Sequence, residues 1–255
     1  MSVAGQAAMK SGRILKDLFG NITNIEKKGE IDLVTEADIL SENAIIETIN
    51  ENFPMDDILA EESGECSKKP DRLWIIDPLD GTTNFAHSFP FFAISIGLMV
   101  GAEVVLGLVY NPCMDEYFEA RKGEGSFLNK KAIRVSQTKK LRESLLATGF
   151  PYSVYRDPDG VMDLLKKMVV HAQGIRRPGA AAIDLCYVAS GRLEGFWEED
   201  LKPWDTAAGS LIVREAGGMV SDYAGESYTP FQDSIVAANP FIYKEMLDII
   251  KTAGV

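Results

Sequence analysis

The chain is poor in cysteine and histidine, and it has no run of basic residues, no long apolar stretch and no repeat or low-complexity tract. Each absence removes a class of protein. The three cysteines, Cys66, Cys113 and Cys186, are odd in number, widely separated and without CxxC spacing, which fits a reducing compartment rather than a disulfide framework. No apolar run approaches the roughly 18 residues of a membrane span, and the N-terminal stretch lacks the apolar region of a signal peptide. A cytoplasmic protein with no membrane partner is expected. Lys and Arg number 26 against 38 Asp and Glu, a net charge of −12. With no basic stripe, direct nucleic-acid binding is disfavoured. The same field repels a phosphorylated substrate unless bound cations consume part of the acidic excess.

At 255 residues, 46% hydrophobic and 25% charged, the chain is long enough for one large layered domain or two fused lobes around a sizeable core. Hydrophobic spacing predicts an amphipathic helix over 3–19 and a second after Thr35, running to Pro54 and the acidic turn Asp56-Asp57. The apolar run Leu73-Trp74-Ile75-Ile76 reads as a buried strand that stops at Asp77-Pro78. Strands are expected over 92–100 and 104–110 as a hairpin, then over 116–120 and 133–135. Beyond residue 140 a strand (144–148), a helix (158–172), a helix (181–191), a strand (193–197), a helix after Asp205 closed by Gly217-Gly218, two strands (219–222 and 235–238) and a terminal helix follow. The expected fold is α+β, with an N-terminal α+β lobe over 1–140 and a C-terminal α/β lobe over 141–255.

The chemistry concentrates in Trp74–Phe85, WIIDPLDGTTNF. A buried strand delivers Asp77, Pro78 forces a turn, and Asp80 follows three residues later. Two carboxylates so close repel one another unless a hard cation neutralises them, and Mg²⁺ takes oxygen ligands of this kind. The Leu79 carbonyl between them offers another oxygen. Gly81-Thr82-Thr83 then presents backbone N–H groups and hydroxyls, an anion site suited to phosphate if it opens a helical turn. Elsewhere the residues allow blander roles. Glu61-Glu62-Ser63-Gly64 reads equally as a solvated turn, Asp205 as a helix N-cap, and Thr35-Glu36-Ala37-Asp38 as a capping box. Glu198 reads equally as an exposed acid on a strand edge. Neither His87 nor His171 asks for a role; the second sits where it favours a helix dipole.

The blocks DLVTEAD (32–38), LAEES (59–63), WIIDPLDGTTNF (74–85), PWDTAAG (203–209) and EAGG (215–218) together resemble the inositol monophosphatase family, part of a magnesium-dependent, lithium-sensitive phosphatase superfamily. ATGFPY, RRPGAAAIDL and GRLEGFWEEDLKPWD resemble its bacterial branch. The resemblance covers nearly the whole chain and implies a layered αβαβα sandwich, two or three Mg²⁺ ions, a homodimer, and hydrolysis of a small phosphorylated polyol or sugar, foremost myo-inositol 1-phosphate. By position it implies Glu61, Asp77 and the Leu79 carbonyl as ligands of a first metal, and Asp77, Asp80 and Asp205 of a second. Glu61 also lies near a third site. Asp38 and Thr82 resemble the pair that positions or activates the attacking water, with Gly81, Thr82 and Thr83 around the phosphate. Gly179, Ala180, Ala181 and Glu198 resemble the polyol-contacting segment, although Ala180 stands where Ser or Thr is often found and Glu199 and Asp200 adjoin Glu198. The same scaffold serves fructose-1,6-bisphosphatase and nucleotide 3′-phosphatase relatives, and some bacterial relatives act as regulatory partners of the transcription machinery.

Overall fold

The computed structural model describes residues 2–21, 25–27, 33–66 and 71–253; Asp32 of the first block lies outside them. The first half contains α1 (Val3–Leu18), β1 (Ile25–Lys27), β2 (Leu33–Thr35), α2 (Glu36–Asn52), β3 (Asp57–Ala60), β4 (Gly64–Cys66), β5 (Arg72–Asp80), α3 (Thr82–Ala86), β6 (Ala93–Val100), β7 (Glu103–Asn111), β8 (Glu116–Arg121), β9 (Gly125–Leu128) and β10 (Lys131–Ile133). The second contains β11 (Leu145–Thr148), α4 (Asp159–Val169), β12 (Gly174–Arg176), α5 (Ala181–Ala189), β13 (Gly195–Glu199), α6 (Pro203–Glu215), β14 (Met219–Ser221), β15 (Ser234–Ala238) and α7 (Tyr243–Ala253).

Two large sheets and three helical layers build an αβαβα sandwich, and β1 and β2 form a separate antiparallel pair. The larger sheet runs β10-β9-β8-β7-β6-β5-β3-β4 and the smaller β12-β11-β13-β15-β14. Helices α1 and α2 cover one face of the larger sheet, α5 and α6 fill the space between the sheets, and α4 and α7 cover the outer face of the smaller. Three apolar clusters follow these layers, the largest being the one between the sheets. There α6 is covered on both sides, and Thr206 through Val213 are all buried, which explains why its sequence lacks a polar face.

Several elements differ from the sequence expectation, each for a local reason. The run at Leu73 continues through Pro78 to Asp80. Parallel pairing with β3 reaches only Ile76, and pairing with β6 slips between Asp77 and Asp80, so the missing N–H of Pro78 breaks no ladder bond. The acidic pair at 56–57 does not end in coil, because Asp57 opens β3, a four-residue strand too short to show a period. The larger sheet is consequently not wholly antiparallel. The strand expected at 133–135 ends at Ile133, and β9 supplies its partner. The helix expected after Asp205 begins at Pro203, which tolerates the first turn because its missing N–H would be unpaired there anyway.

Candidate active site

β5 ends where the two sheets and the α5–α6 layer meet. Its last residues, with the turn after β3 and the connection from β13 to α6, line a recess of about 360 Å³. Of the residues singled out in the sequence, Glu61, Asp77, Leu79, Asp80, Gly81, Thr82, Thr83, Gly179, Ala180, Ala181, Glu198 and Asp205 all line it. Asp38 does not. It is fully buried on α2, behind Thr82, whose Oγ1 lies 3.0 Å from Asp38 Oδ1 and 3.0 Å from the Leu79 carbonyl oxygen. Asp38 also accepts from both the N–H and the hydroxyl of Thr35 at 2.7 Å. The capping box and the Thr82 contact thus coexist in one side chain, and Asp38 reaches the recess only through Thr82.

Each aspartate is held by a backbone N–H. Asp77 Oδ1 accepts from Leu79 at 2.9 Å, Asp80 Oδ2 from Ala182 at 2.8 Å, and Asp205 Oδ2 from Lys202 at 2.6 Å. The Ala182 bond ties the first turn of α5 to the end of β5 across 102 residues of sequence. Burial pushes the Asp77 carboxyl well above the ordinary range, and the charges of Glu61, Asp80 and Asp205 push it further. Asp80 is pushed up to about 7, by burial first and against the pull of the Ala182 N–H. Asp205 also rises to about 7, through burial and then through Asp80. Among the described residues no salt bridge neutralises Asp77, Asp80 or Asp205; Lys202 points its ammonium at Asp200 instead, 2.7 Å away.

This is an excess of negative charge that a divalent cation would relieve. Among the described residues no three His, Cys, Asp or Glu side chains come close enough to enclose an ion unaided. Such spacing still fits Mg²⁺, which keeps several waters and takes only one or two carboxylates, with substrate phosphate completing the shell. The all-oxygen donor set suits a hard cation and no soft one.

The Gly81–Thr83 turn is tightly fixed as well. Gly81 has φ +92° and opens the short helix α3. A Cβ at Gly81 would stand 3.1 Å from the Phe91 carbonyl oxygen, 3.2 Å from that of Gly179 and 3.3 Å from Ala180 Cβ, so both the backbone angle and the space demand glycine. The same packing brings the Gly179-Ala180 segment against the Gly81 turn. Asn84 reinforces it by donating to the carbonyls of Phe91 at 2.7 Å and Pro178 at 2.9 Å.

Glu198 also lines the recess, buried on β13, with Gly149 so close that a Cβ there would fall 2.0 Å from its Oε1. Burial first, then Asp205, pushes the Glu198 carboxyl well above its usual range, while Arg177 pulls it back. Glu198 is therefore no exposed strand-edge acid. His87 is exposed, and His171, whose Nδ1 lies 2.7 Å from the Lys167 carbonyl oxygen, is absent from the recess lining.

Sequence reasoning missed three residues here. Arg177 brings a cation to the recess and stacks 5.5 Å over the Phe150 ring. Trp204 supplies an apolar wall. Asp184, fully buried on α5, has an Oδ1 with no hydrogen-bond partner, and burial followed by Glu198 and Asp80 pushes its carboxyl well above the ordinary range. An acid inside the apolar helix AAIDLCYVA was a visible signal; the placement of Arg177 had none.

The inositol monophosphatase family matches residues 1–253. The chain belongs to this family. An inositol-1-monophosphatase of Synechocystis sp. is 44% identical over 96% of this chain and 86% of its own. A relative named Nus factor SuhB in Escherichia coli is 41% identical over 97% of this chain and 94% of its own. The solved inositol monophosphatase of Anabaena (Nostoc) sp. superposes with a TM-score of 0.90 at 38% identity, covering 98% of this chain and 94% of that one. Family membership supports a phosphatase, and the layered sandwich is the architecture of these relatives. No helix among the described residues is long and apolar enough to cross a membrane.

Proposed function

We propose that the protein is a Mg²⁺-dependent phosphatase of small polyol or sugar phosphate monoesters, with myo-inositol 1-phosphate as its foremost substrate. The observation that carries this reading is the convergence, in one recess, of the acids Glu61, Asp77, Asp80 and Asp205 with the Gly81–Thr83 turn and the buried Glu198. Glu61, Asp77, Asp80, Asp205 and the Leu79 carbonyl would hold two or three ions. Bound there, Mg²⁺ would supply Lewis acidity toward the phosphoryl and leaving oxygens and would lower the pKa of water.

The chain's own groups do the rest. The backbone N–H groups of the Gly81–Thr83 turn receive the phosphate oxygens. Thr82 Oγ1, oriented by Asp38 at 3.0 Å, stands where it can hold the attacking water, and Asp38 takes up the proton passed through that hydroxyl. Burial raises Asp38 above its usual range, which makes it a better proton acceptor than a solvated aspartate. Glu198 and the Gly179–Ala181 backbone receive the ring hydroxyls, and Trp204 and Phe150 screen the alcohol from water. A cytoplasmic homodimer belongs to the same proposal and is carried by the family resemblance.

Turnover on a panel of phosphate esters, with Mg²⁺ and after rigorous chelation, tests the reading. Inositol 1-phosphate should lead fructose 1,6-bisphosphate and nucleotide 3′-phosphates. Chelation should abolish turnover while leaving the circular dichroism unchanged, because the carboxylates sit on a large core rather than staple it. Full activity without metal would overturn the mechanism. A second reading, a regulatory partner of the transcription machinery, is favoured by the name of the Escherichia coli relative. That role has no need of four acids around one recess, so the enzyme reading stands first.

A further inference from the structure

Helix α2 buries four polar side chains, of which Thr48 donates back to its own helix at the Ala44 carbonyl, 2.7 Å away, while the other three reach outside it. Asp38, Ser41 and Glu42 are 0, 0 and 4% exposed, and their spacing of three and four residues places them on one face. Burying polar groups is unfavourable unless each is partnered, and each of these reaches a different segment of the recess. Asp38 engages Thr82. Ser41 donates to the Pro78 carbonyl at 2.7 Å and lies 2.6 Å from the Ser11 hydroxyl; with its only proton given to Pro78, Ser41 accepts from Ser11. Glu42 Oε2 accepts from the backbone N–H of Glu62 at 2.9 Å.

That last contact bears on the turn after β3. Glu61 donates its own N–H to the Ile76 carbonyl at 3.2 Å, and the next N–H goes to Glu42. The backbone of Glu61 is thus fastened to β5 on one side and to α2 on the other, while its side chain lines the recess beside Asp77. We infer that Glu42 is a positioning residue which, through the N–H of Glu62, fixes where Glu61 stands relative to Asp77 and Asp80 and so sets the divalent-cation affinity of the recess. The inference rests on the reading of Glu61 as a cation ligand. α2 then serves as a common template for the end of β5, the start of α3 and the turn after β3, which accounts for polar side chains buried where apolar ones would pack.

The experiment compares Glu42→Ala, Glu42→Asp and Glu42→Gln in the full chain. Supporting groups of this kind are worth about 10- to 100-fold in metal affinity. In Glu42→Ala the Mg²⁺ concentration for half-maximal turnover should rise by about that factor, with kcat at saturating Mg²⁺ little changed. Glu42→Gln keeps an oxygen of equal reach and should recover most of the affinity. Glu42→Asp keeps the charge but is one methylene short, so it should resemble Glu42→Ala; wild-type behaviour there would make charge, not position, the operative quantity and overturn the inference. Direct Mn²⁺ binding by calorimetry reads the same shift without turnover. Hydrogen exchange at the Glu62 amide, read by NMR on the metal-free protein, should lose protection in Glu42→Ala and keep it in Glu42→Gln. If Glu42→Ala does not fold, the Gln and Asp variants carry the comparison. Unchanged cation affinity in a folded Glu42→Ala, with wild type binding normally, overturns the inference alone. A wild-type protein that binds no divalent cation overturns the reading of Glu61 and the inference with it.

Discussion

The two walls of the recess are built differently. One is a contiguous piece of chain, Asp77 to Thr83, in which Asp77 through Asp80 are buried, Asp77 and Asp80 pair with β6, and Asp80 is clamped by the Ala182 N–H. The other runs from the end of β13 through the short connection at 200–202 into the first turn of α6. Its Glu198 is buried, but Glu199 and Asp205 are partly exposed, and Asp200 is exposed with φ +60° in the left-handed region. A rigid wall suits charge neutralisation and phosphate binding, where donors must be preorganised. A wall assembled from a strand end, an exposed connection and a helix start suits recognition of the alcohol, which differs from ester to ester while the phosphate does not. Under the proposed function the first wall would carry the chemistry and the second the specificity, with Asp205 as the one residue of the second wall that serves the first.

The largest expected effect tests that exception. Asp80→Asn and Asp205→Asn should each lower turnover on the order of 10³-fold, since several kcal/mol of charge stabilisation is at stake and about 1.4 kcal/mol is tenfold. The amide oxygen will turn toward the N–H that each carboxylate now accepts from, Ala182 or Lys202, leaving an NH₂ donor facing the recess where an anionic oxygen stood. Kinetics on inositol 1-phosphate and glycerol 2-phosphate should show equal losses for both variants. A loss at Asp205 confined to one ester would place that residue with its own wall and break the assignment.

How far each wall could be read from sequence follows the same division. Asp77-Pro78-Leu79-Asp80-Gly81-Thr82 was legible because the strand end, the paired acids and the turn residues are neighbours in the chain. The layered fold was legible from the blocks that resemble the family. What stayed hidden depends on contacts between distant segments. Glu42 meets Glu62 across a helix-to-strand crossing, Ala182 meets Asp80 over 102 residues, and no local pattern reports that Gly149 gives Glu198 its space. Asp38 was legible as a cap and as a site residue; that it works through Thr82 from full burial required the packing of α2. β3 was missed because its acidic start resembles a turn and its stabilisation comes from parallel pairing with β5.

Gly149 offers the next effect, confined to the second wall. In Gly149→Ala the added Cβ would fall 2.0 and 2.1 Å from the Glu198 carboxylate oxygens, so the carboxylate must move. Displacing a positioning group by about 1 Å costs on the order of 10²-fold. The loss should appear in kcat/KM for inositol 1-phosphate and hardly at all for glycerol 2-phosphate, with a modest fall in Tm from overpacking. An equal loss on both esters would mean that Glu198 supports the cation site and that the walls are not separable.

The smallest effect isolates the hydrogen bond itself. Glu198→Gln keeps the shape that fills the space beside Gly149 but removes the formal charge, so the geometry tested by Gly149→Ala stays in place. A carboxylate accepting from ring hydroxyls loses charge-assisted strength on becoming an amide, about 1–2 kcal/mol, or roughly 5- to 30-fold. That loss should fall on kcat/KM for inositol 1-phosphate, because a contact to the alcohol is felt only by esters whose alcohol reaches it. Glycerol 2-phosphate, which lacks the ring hydroxyls, should be turned over nearly as before. Measuring both esters separates the outcomes, since weakening the cation site depresses the two alike. Equal losses would move Glu198 to the chemical wall, and no loss on either would leave recognition of the polyol to the Gly179–Ala181 backbone and Arg177.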